Sequence, residues 1–199
     1  RASVVPGGGQ TNIPTTAGNT ASGTSSFVGS GYNNSASGVY ASIVGGEGAT
    51  ATGTSSFVGG GFTNHANGNY ATIPGGRGLT LTGTHTFGFH AANAAANDIS
   101  IAANNVAAFG NVNMWLVNEN NNASQLRFYE PNNTAGAFPP AGVNYTSFQA
   151  GAQAVDITYT LPLAFPTANG QVLASTTGGA MSWLANPVTG SGTVNTIPK

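Results

Sequence analysis

Glycine returns in this chain at a fixed interval. Gly23, Gly38, Gly53, Gly68 and Gly83 stand fifteen residues apart, each preceded by Ser, Thr or Asn. A short run of strand-forming residues follows each one: TSSFV (24–28), VYASIV (39–44), TSSFV (54–58), NYATI (69–73) and THTFGF (84–89). Glycine pairs or near-pairs close the first four runs, at Gly29/Gly31, Gly45/Gly46, Gly59/Gly60 and Gly75/Gly76. A finer register of thirty is superimposed: GTSSFVGSGY (23–32) returns as GTSSFVGGGF (53–62), Tyr40 matches Tyr70, Ile43 matches Ile73 and Gly48 matches Gly78. A β-prone run stopped by paired glycines is a strand ended by a tight turn. Glycine serves where the backbone takes positive φ or approaches another backbone closely. Fifteen residues are too few for a helix pair or a propeller blade, but they fit one coil of a β-solenoid.

The coil needs a second extended piece, and one lies between the main runs as NNSAS, GATAT, NHANG and GLTLT, alternating small and polar residues. Stacked coils bring like positions together. Val28, Ile43, Val58 and Ile73 then form one row, and Phe27 and Phe57 a neighbouring one. ASVVPGG (2–8) reads as an earlier copy of ATIPGG (71–76), with extra sequence before Gly23 breaking the period. One coil supplies few large apolar side chains, so the core of a single stack is meagre. Three stacks around one axis would thicken it, and a homotrimer is expected.

Charge is scarce. Only 9 of 199 residues are Asp, Glu, Lys or Arg, or 5%, and the formal net charge is −1. About a quarter of the residues in a soluble domain are usually charged. With 40% apolar residues the chain still does not read as disordered. No basic patch could neutralise a phosphate backbone, which excludes nucleic acid as a partner. No apolar stretch approaches the roughly 20 residues of a spanning helix, and membrane insertion is not expected. The absence of cysteine rules out a disulfide scaffold, a thiolate metal site and a cysteine nucleophile. The chain opens on Arg1 without a secretory leader, as a processed product would.

The repeats NTASG, YASIVGG, SSFVGGG and NHANGNYATIPGG resemble the head repeats of trimeric autotransporter adhesins. They are also similar to N-x-A-x-G-x-Y-S-x-V-x-G-G repeats in bacterial surface and phage fibre proteins. The resemblance covers residues 2–90, and it departs from the adhesin heads in a coil of about fifteen rather than fourteen residues. It implies a left-handed parallel β-roll with three rolls forming a rod.

Residues 91–110 are Ala- and Asn-rich and are read as a closing segment, with strands at DISIAA and NNVAAFG rather than a long helix. Longer strands are expected beyond Gly110: NMWLVN (113–118), SQLRFYE (124–130), NYTSFQAG (144–151) and DITYTLP (156–162). SQLRFYE alternates Leu126 and Phe128 with Gln125, Arg127 and Tyr129, the pattern of a half-buried strand. DITYTL sets Ile157, Tyr159 and Leu161 on one face. The stretch LRFYEPNNTAG to MSWLA resembles a module of phage tail fibres and large bacterial surface proteins. The expected organisation is a β-roll at 1–95, a transition at 96–110, a small β domain at 111–186 and a tail at 187–199.

Candidate chemistry is sparse. The acids are Glu47, Asp98, Glu119, Glu130 and Asp156. A solenoid glycosidase needs acids on neighbouring coils, yet the residues matching Glu47 are Arg77 and Ala17. Glu47 and Arg77 could pair across two coils. His65, His85 and His90 could each meet their copies on a trimer axis to hold a metal, but the spacing does not demand it. Calcium rolls need an Asp in each turn, which the repeats lack. No G-x-S-x-G elbow is present. The Thr50/Thr52 and Thr80/Thr82 pairs resemble an ice-binding face, but Ser35/Ser37 and His65/Asn67 interrupt them. Asn33, Asn122, Asn132 and Asn144 open sequons, as chance provides in a chain rich in Asn, Ser and Thr. Tyr32 and Phe62 follow the glycine turns, where aromatics either stack on sugars or pack against a neighbouring coil or chain. They are the ligand-binding candidates, together with the turns and the loop at 131–142.

The expectation is therefore an all-β, left-handed parallel β-roll, trimeric, followed by a small β domain. No catalytic residue, metal or cofactor is assigned. The expected role is that of a structural and adhesive extracellular fibre segment, on a cell surface or virion, meeting a cell-surface glycan or protein receptor. The alternatives are a self-assembling filament subunit and a carbohydrate-active β-solenoid.

Overall fold

The computed structural model describes residues 3–6, 18–117, 123–131, 136, 138–139, 143–151 and 154–185. The chain forms two compact units, residues 1–115 and 116–199. The first is a parallel β-solenoid. One sheet stacks Phe27–Val28, Ser42–Ile43, Phe57–Val58, Thr72–Ile73, Phe87–Ala91 and Ala107–Gly110, with Gly76–Arg77 also pairing Phe87–Ala91. A second stacks Thr20–Ala21, Ser35–Ala36, Thr50–Ala51, His65–Ala66, Leu79–Leu81 and Ile99–Ile101. Every pairing within these two sheets is parallel. A third line of contact runs through single bridges, Tyr32 to Glu47 to Phe62 to Arg77.

The register is the sequence period. Phe27 faces Ser42, Ser42 faces Phe57 and Phe57 faces Thr72, each fifteen residues on. Val28, Ile43, Val58 and Ile73 form the expected inner row and are fully buried. Phe27 and Phe57 stand in the adjacent row, which points outward because side chains alternate along a strand. Ala36, Ala51, Ala66 and Leu81 supply the opposite inner row. The period breaks where expected: Val4 bridges Phe27 at an offset of 23. It breaks again at the last coil, where Leu79 pairs with Ile99 and Phe87 with Ala107 at an offset of 20. The Ala-rich insert contributes one 3₁₀ turn, Ala95–Asn97, before the chain re-enters both sheets.

The glycine period has a steric cause. A Cβ at Gly53 would lie 2.0 Å from the carbonyl oxygen of Gly68, and one at Gly68 would lie 1.9 Å from that of Gly83. Each glycine leaves room for the next coil's backbone to lie against it. The row ends at Ala103, in the last coil.

The core is one cluster of twelve buried hydrophobic residues, half of them alanine. Its two sides compensate each other in volume. Where the second sheet moves from Asn64 and Ala66 to Leu79 and Leu81, the facing row moves from Ile73 to Gly88. A Cβ at Gly88 would meet Leu79 Cδ2 at 2.7 Å and Leu81 Cδ2 at 3.4 Å. Overpacking and voids are both costly in a close-packed interior, so the rows change size together.

Two antiparallel hairpins are formed in the second unit: Gln125–Tyr129 with Tyr145–Gln149, and Gln171–Ser175 with Met181–Ala185. The strands expected at SQLRFYE and NYTSFQAG are thus present. Those expected at NMWLVN and DITYTLP are not. Residues 113–117 carry no strand, and Thr160 makes only an isolated bridge to Ala180. The half-buried alternation also needs correction. Leu126 and Phe128 are exposed, since a two-stranded ribbon has no second layer to cover either face, and Ile157, Tyr159 and Leu161, which lie in no strand, are exposed as well. The tail at 187–199 and most of the loop at 131–142 lie outside the described residues.

Candidate functional site

Alternate coils bury an asparagine that the small-polar reading of NNSAS and NHANG passes over. Asn34 and Asn64 point inward. Asn64 Nδ2 donates to the carbonyls of Gly60 and Gly76, both at 2.9 Å, and its Oδ1 accepts from Leu79 N at 3.2 Å. Asn34 repeats this with Ser30, Gly46 and Ala49. In the coil before, Asn19 donates to Gly31 O and accepts from Asn34 N. A side-chain amide offers two donors and an acceptor, enough to satisfy three backbone groups at a corner that cannot complete a ladder. The thirty-residue spacing of these Asn was the available signal. Their role is architectural.

Tyr32 and Phe62, the ligand candidates, share one line with charged residues between and beyond them. Glu47 separates the two rings, and the Arg77 guanidinium lies 4.9 Å from the Phe62 ring centroid. Tyr32 is half-buried and Phe62 just over a third exposed. Phe62 also occupies the coil between Glu47 and Arg77, and Arg77 engages the ring by cation–π contact.

The three histidines fall in three different places. His65 stands in the outward row of the second sheet, its Nδ1 2.8 Å from Thr50 Oγ1. Burial lowers its pKa below the ordinary histidine value, and the nearby Asp98 carboxylate opposes that shift. His85 stacks on Tyr70 at 4.8 Å between centroids. His90 is buried at the end of the stack. Its Nδ1 donates to Arg77 O at 3.0 Å and its Nε2 accepts from Asn111 Nδ2 at 3.2 Å, so both ring nitrogens are engaged. Among the described residues no cluster of three His, Cys, Asp or Glu could hold a metal ion.

The hydroxyl face is tied up internally around Thr50 and Thr52. Thr20, Ser35, Thr50, His65, Thr80 and Ser100 align along it. Asn67 Oδ1 accepts from Thr50 and Thr52 at 3.2 and 3.0 Å. Hydroxyls bonded across coils are not free to order a flat layer of water. Of the sequons, Asn33 is exposed at a left-handed corner, Asn144 begins just before the second strand of the first hairpin, and Asn122 and Asn132 lie outside the described residues.

One row breaks a local rule. At successive coils Ser25, Tyr40, Ser55, Tyr70, His85 and Asn105 occupy the left-handed region, with φ between 53° and 59°. That conformation turns each N–H back toward the preceding coil. Tyr40 donates to Thr24 O at 2.9 Å, Tyr70 to Thr54 O at 2.8 Å and His85 to Asn69 O at 2.9 Å. Any residue with an N–H can make this bond, and Asn pays least for the conformation among residues with a Cβ. A bulky aromatic here carries roughly 1–2 kcal/mol of backbone strain. Tyr40 and Tyr70 are nevertheless 60% and 51% exposed. Among the described residues no helix is long and apolar enough to cross a membrane. No family model, curated protein or solved structure matches this chain.

Proposed function

We propose that the chain is a segment of a structural and adhesive extracellular fibre, of the kind found in phage tails or on bacterial surfaces, in which three copies associate through their solenoids. The resemblance of the repeats adds a left-handed sense to the coils, and the hairpin region would be a small β domain of the same fibre. One observation carries the reading. The outer side of the first sheet presents a column rich in apolar residues, with Ser42 and Thr72 between the phenylalanines, that is exposed among the described residues of the solenoid. Val4, Phe27, Val44, Phe87 and Phe109 are exposed along it, and Phe87 and Phe109 sit 5.9 Å apart. The outward positions of this sheet, at 27, 42, 57, 72, 87 and 107 and at 29, 44, 59, 74, 89 and 109, include no charged residue. An uncovered apolar patch of this extent marks an interaction surface, and an uncharged one can meet its own copy without repulsion. With a core half alanine, burying these aromatics between copies would add the apolar area that one stack lacks. Repetition would give the rod length and stiffness, and three copies would give it multivalent contact.

Native mass spectrometry and sedimentation of the whole chain test this. A discrete trimer is expected, and Phe57→Asp with Phe87→Asp should dissociate it. A stable monomer with full β content overturns the proposal. Open, concentration-dependent polymers would favour a filament subunit instead, which the low charge would also suit. Release of soluble fragments from bacterial polysaccharides would favour a carbohydrate-active solenoid.

A further inference from the structure

The left-handed corner of the solenoid carries aromatic rings that the fold does not require. Ser25 and Ser55 make the same turn as Tyr40 and Tyr70. Ser55 N donates to Val39 O at 2.8 Å, as Tyr70 N does to Thr54 O. The aromatic residues therefore break a local preference without a gain in backbone hydrogen bonding, a departure that tends to mark function.

The geometry defines a slot. Tyr70 lies nearly parallel to His85 in the following coil, with an interplanar angle of 14° and 4.8 Å between centroids. Its other face therefore looks toward the preceding coil, where Ser55 leaves the corner open. Tyr40 holds the equivalent position one coil further on. Adjacent strands lie about 4.8 Å apart, so the two tyrosine positions are separated by roughly 9.6 Å. Carbon atoms in contact sit about 3.5–4 Å apart. A ring placed midway would lie about 4.8 Å from each tyrosine position, room that a puckered pyranose with C–H bonds on both faces fills better than a flat ring does.

The surroundings select the class of ligand. Thr24, Val39, Thr54, Asn69 and Thr84 flank the corner residues, and none of them is charged. Hydroxyl and amide groups can bond sugar hydroxyls, and aromatic faces pack on the C–H faces of a pyranose.

We propose that the slot over Ser55, between Tyr40 and Tyr70, binds one pyranose ring of a neutral polysaccharide running along the corner. The inference rests on the reading of the solenoid as a presenting rod and names what that rod would hold.

The test uses the full chain and three soluble probes, the β-1,4 and α-1,4 hexamers of glucose and the β-1,4 hexamer of N-acetylglucosamine. Saturation-transfer NMR should show transfer from aromatic protein protons to the C–H protons of at least one probe. Tyr40→Ser with Tyr70→Ser should weaken that binding about tenfold or more, as expected for losing two stacking faces. The double variant should melt no lower than the parent, because Ser already serves at this corner. Ser55→Tyr should close the slot and abolish binding, although it adds a third aromatic ring. Tyr32→Ala should leave binding unchanged.

Failure to bind any of the three hexamers overturns the proposal. So does binding that survives the double substitution, or a double variant that loses its fold or its oligomeric state, since the rings would then be structural. Native mass measured on the same sample separates this result from the rod reading. A trimer that binds no probe sinks only the slot, and a monomer that binds sugar sinks only the trimer.

Discussion

The two units solve the problem of a low-charge, glycine-rich chain in opposite ways. In the solenoid every coil lies on a copy of itself. Twelve hydrophobic side chains reach complete burial, and inward-facing asparagines satisfy the corners. In the second unit the described residues include one buried position, Gly179, while Leu163 and Phe165 are almost wholly exposed. Both regions are β-rich and carry aromatics in their strands. What separates them is repetition. A coil supplies the template, the hydrogen-bond partner and half the core for its neighbour. A two-stranded hairpin supplies partners to itself alone and leaves both faces open.

That contrast can be tested at matched positions. The largest effect is expected at the glycine row. Gly53→Ala drives a Cβ into the Gly68 carbonyl and should cost more than about 3 kcal/mol, read by denaturant or thermal unfolding. Gly151→Ala in the second unit meets open space and should change stability by less than about 0.5 kcal/mol. Comparable losses at both sites would erase the distinction.

Asn64→Ala comes next. It strands the carbonyl of Gly60 and the N–H of Leu79 and leaves the Gly76 carbonyl with the Phe62 N–H alone, at an expected cost of about 2–3 kcal/mol in the same measurement. An unchanged midpoint would mean that water replaces the amide and that the corner is open.

The compensation between the two inner rows gives a double-mutant cycle. Gly88→Ala alone should cost about 1–3 kcal/mol through its contact with Leu79 Cδ2. In a Leu79→Ala background it should cost less, with about 1 kcal/mol of coupling. Strict additivity would show that the rows are sized independently.

The smallest effect is the pH dependence at His65. Its folded pKa is lowered by burial, so its neutral form is favoured in the native state. The associated stability is present above the unfolded value of about 6.5 and is lost as pH falls through the lower folded value. His65→Asn should therefore flatten part of the decline in melting temperature between pH 7.5 and 5. A parallel decline in parent and variant would place that dependence on other groups.

Much of the solenoid was legible in the chain. The fifteen-residue glycine interval, the row Val28–Ile43–Val58–Ile73 and the break in period before Gly23 follow from repetition, because stacking turns sequence period into spatial register, whereas the offset of 20 at the last coil came only with the structure. The candidate site was less legible. Tyr32 and Phe62 drew attention as aromatics beside glycine turns, but Glu47 and Arg77 lie in their line. The more exposed pair, Tyr40 and Tyr70, was visible as a thirty-residue match, yet nothing in a string of letters marks a tyrosine as left-handed. The strands expected at NMWLVN and DITYTLP failed for another reason. β propensity describes residues that suit a partly covered sheet, and neither stretch has a sheet to join.

By itself, then, the sequence determined the coil length, the parallel stacking and the identity of the inner row of the first sheet. The tertiary structure decided which polar residues turn inward, which corner takes the left-handed conformation and which aromatics are left in solvent. Those outcomes depend on where a backbone carbonyl meets the next coil. That distance is set by the stack as a whole and is not carried by any single repeat.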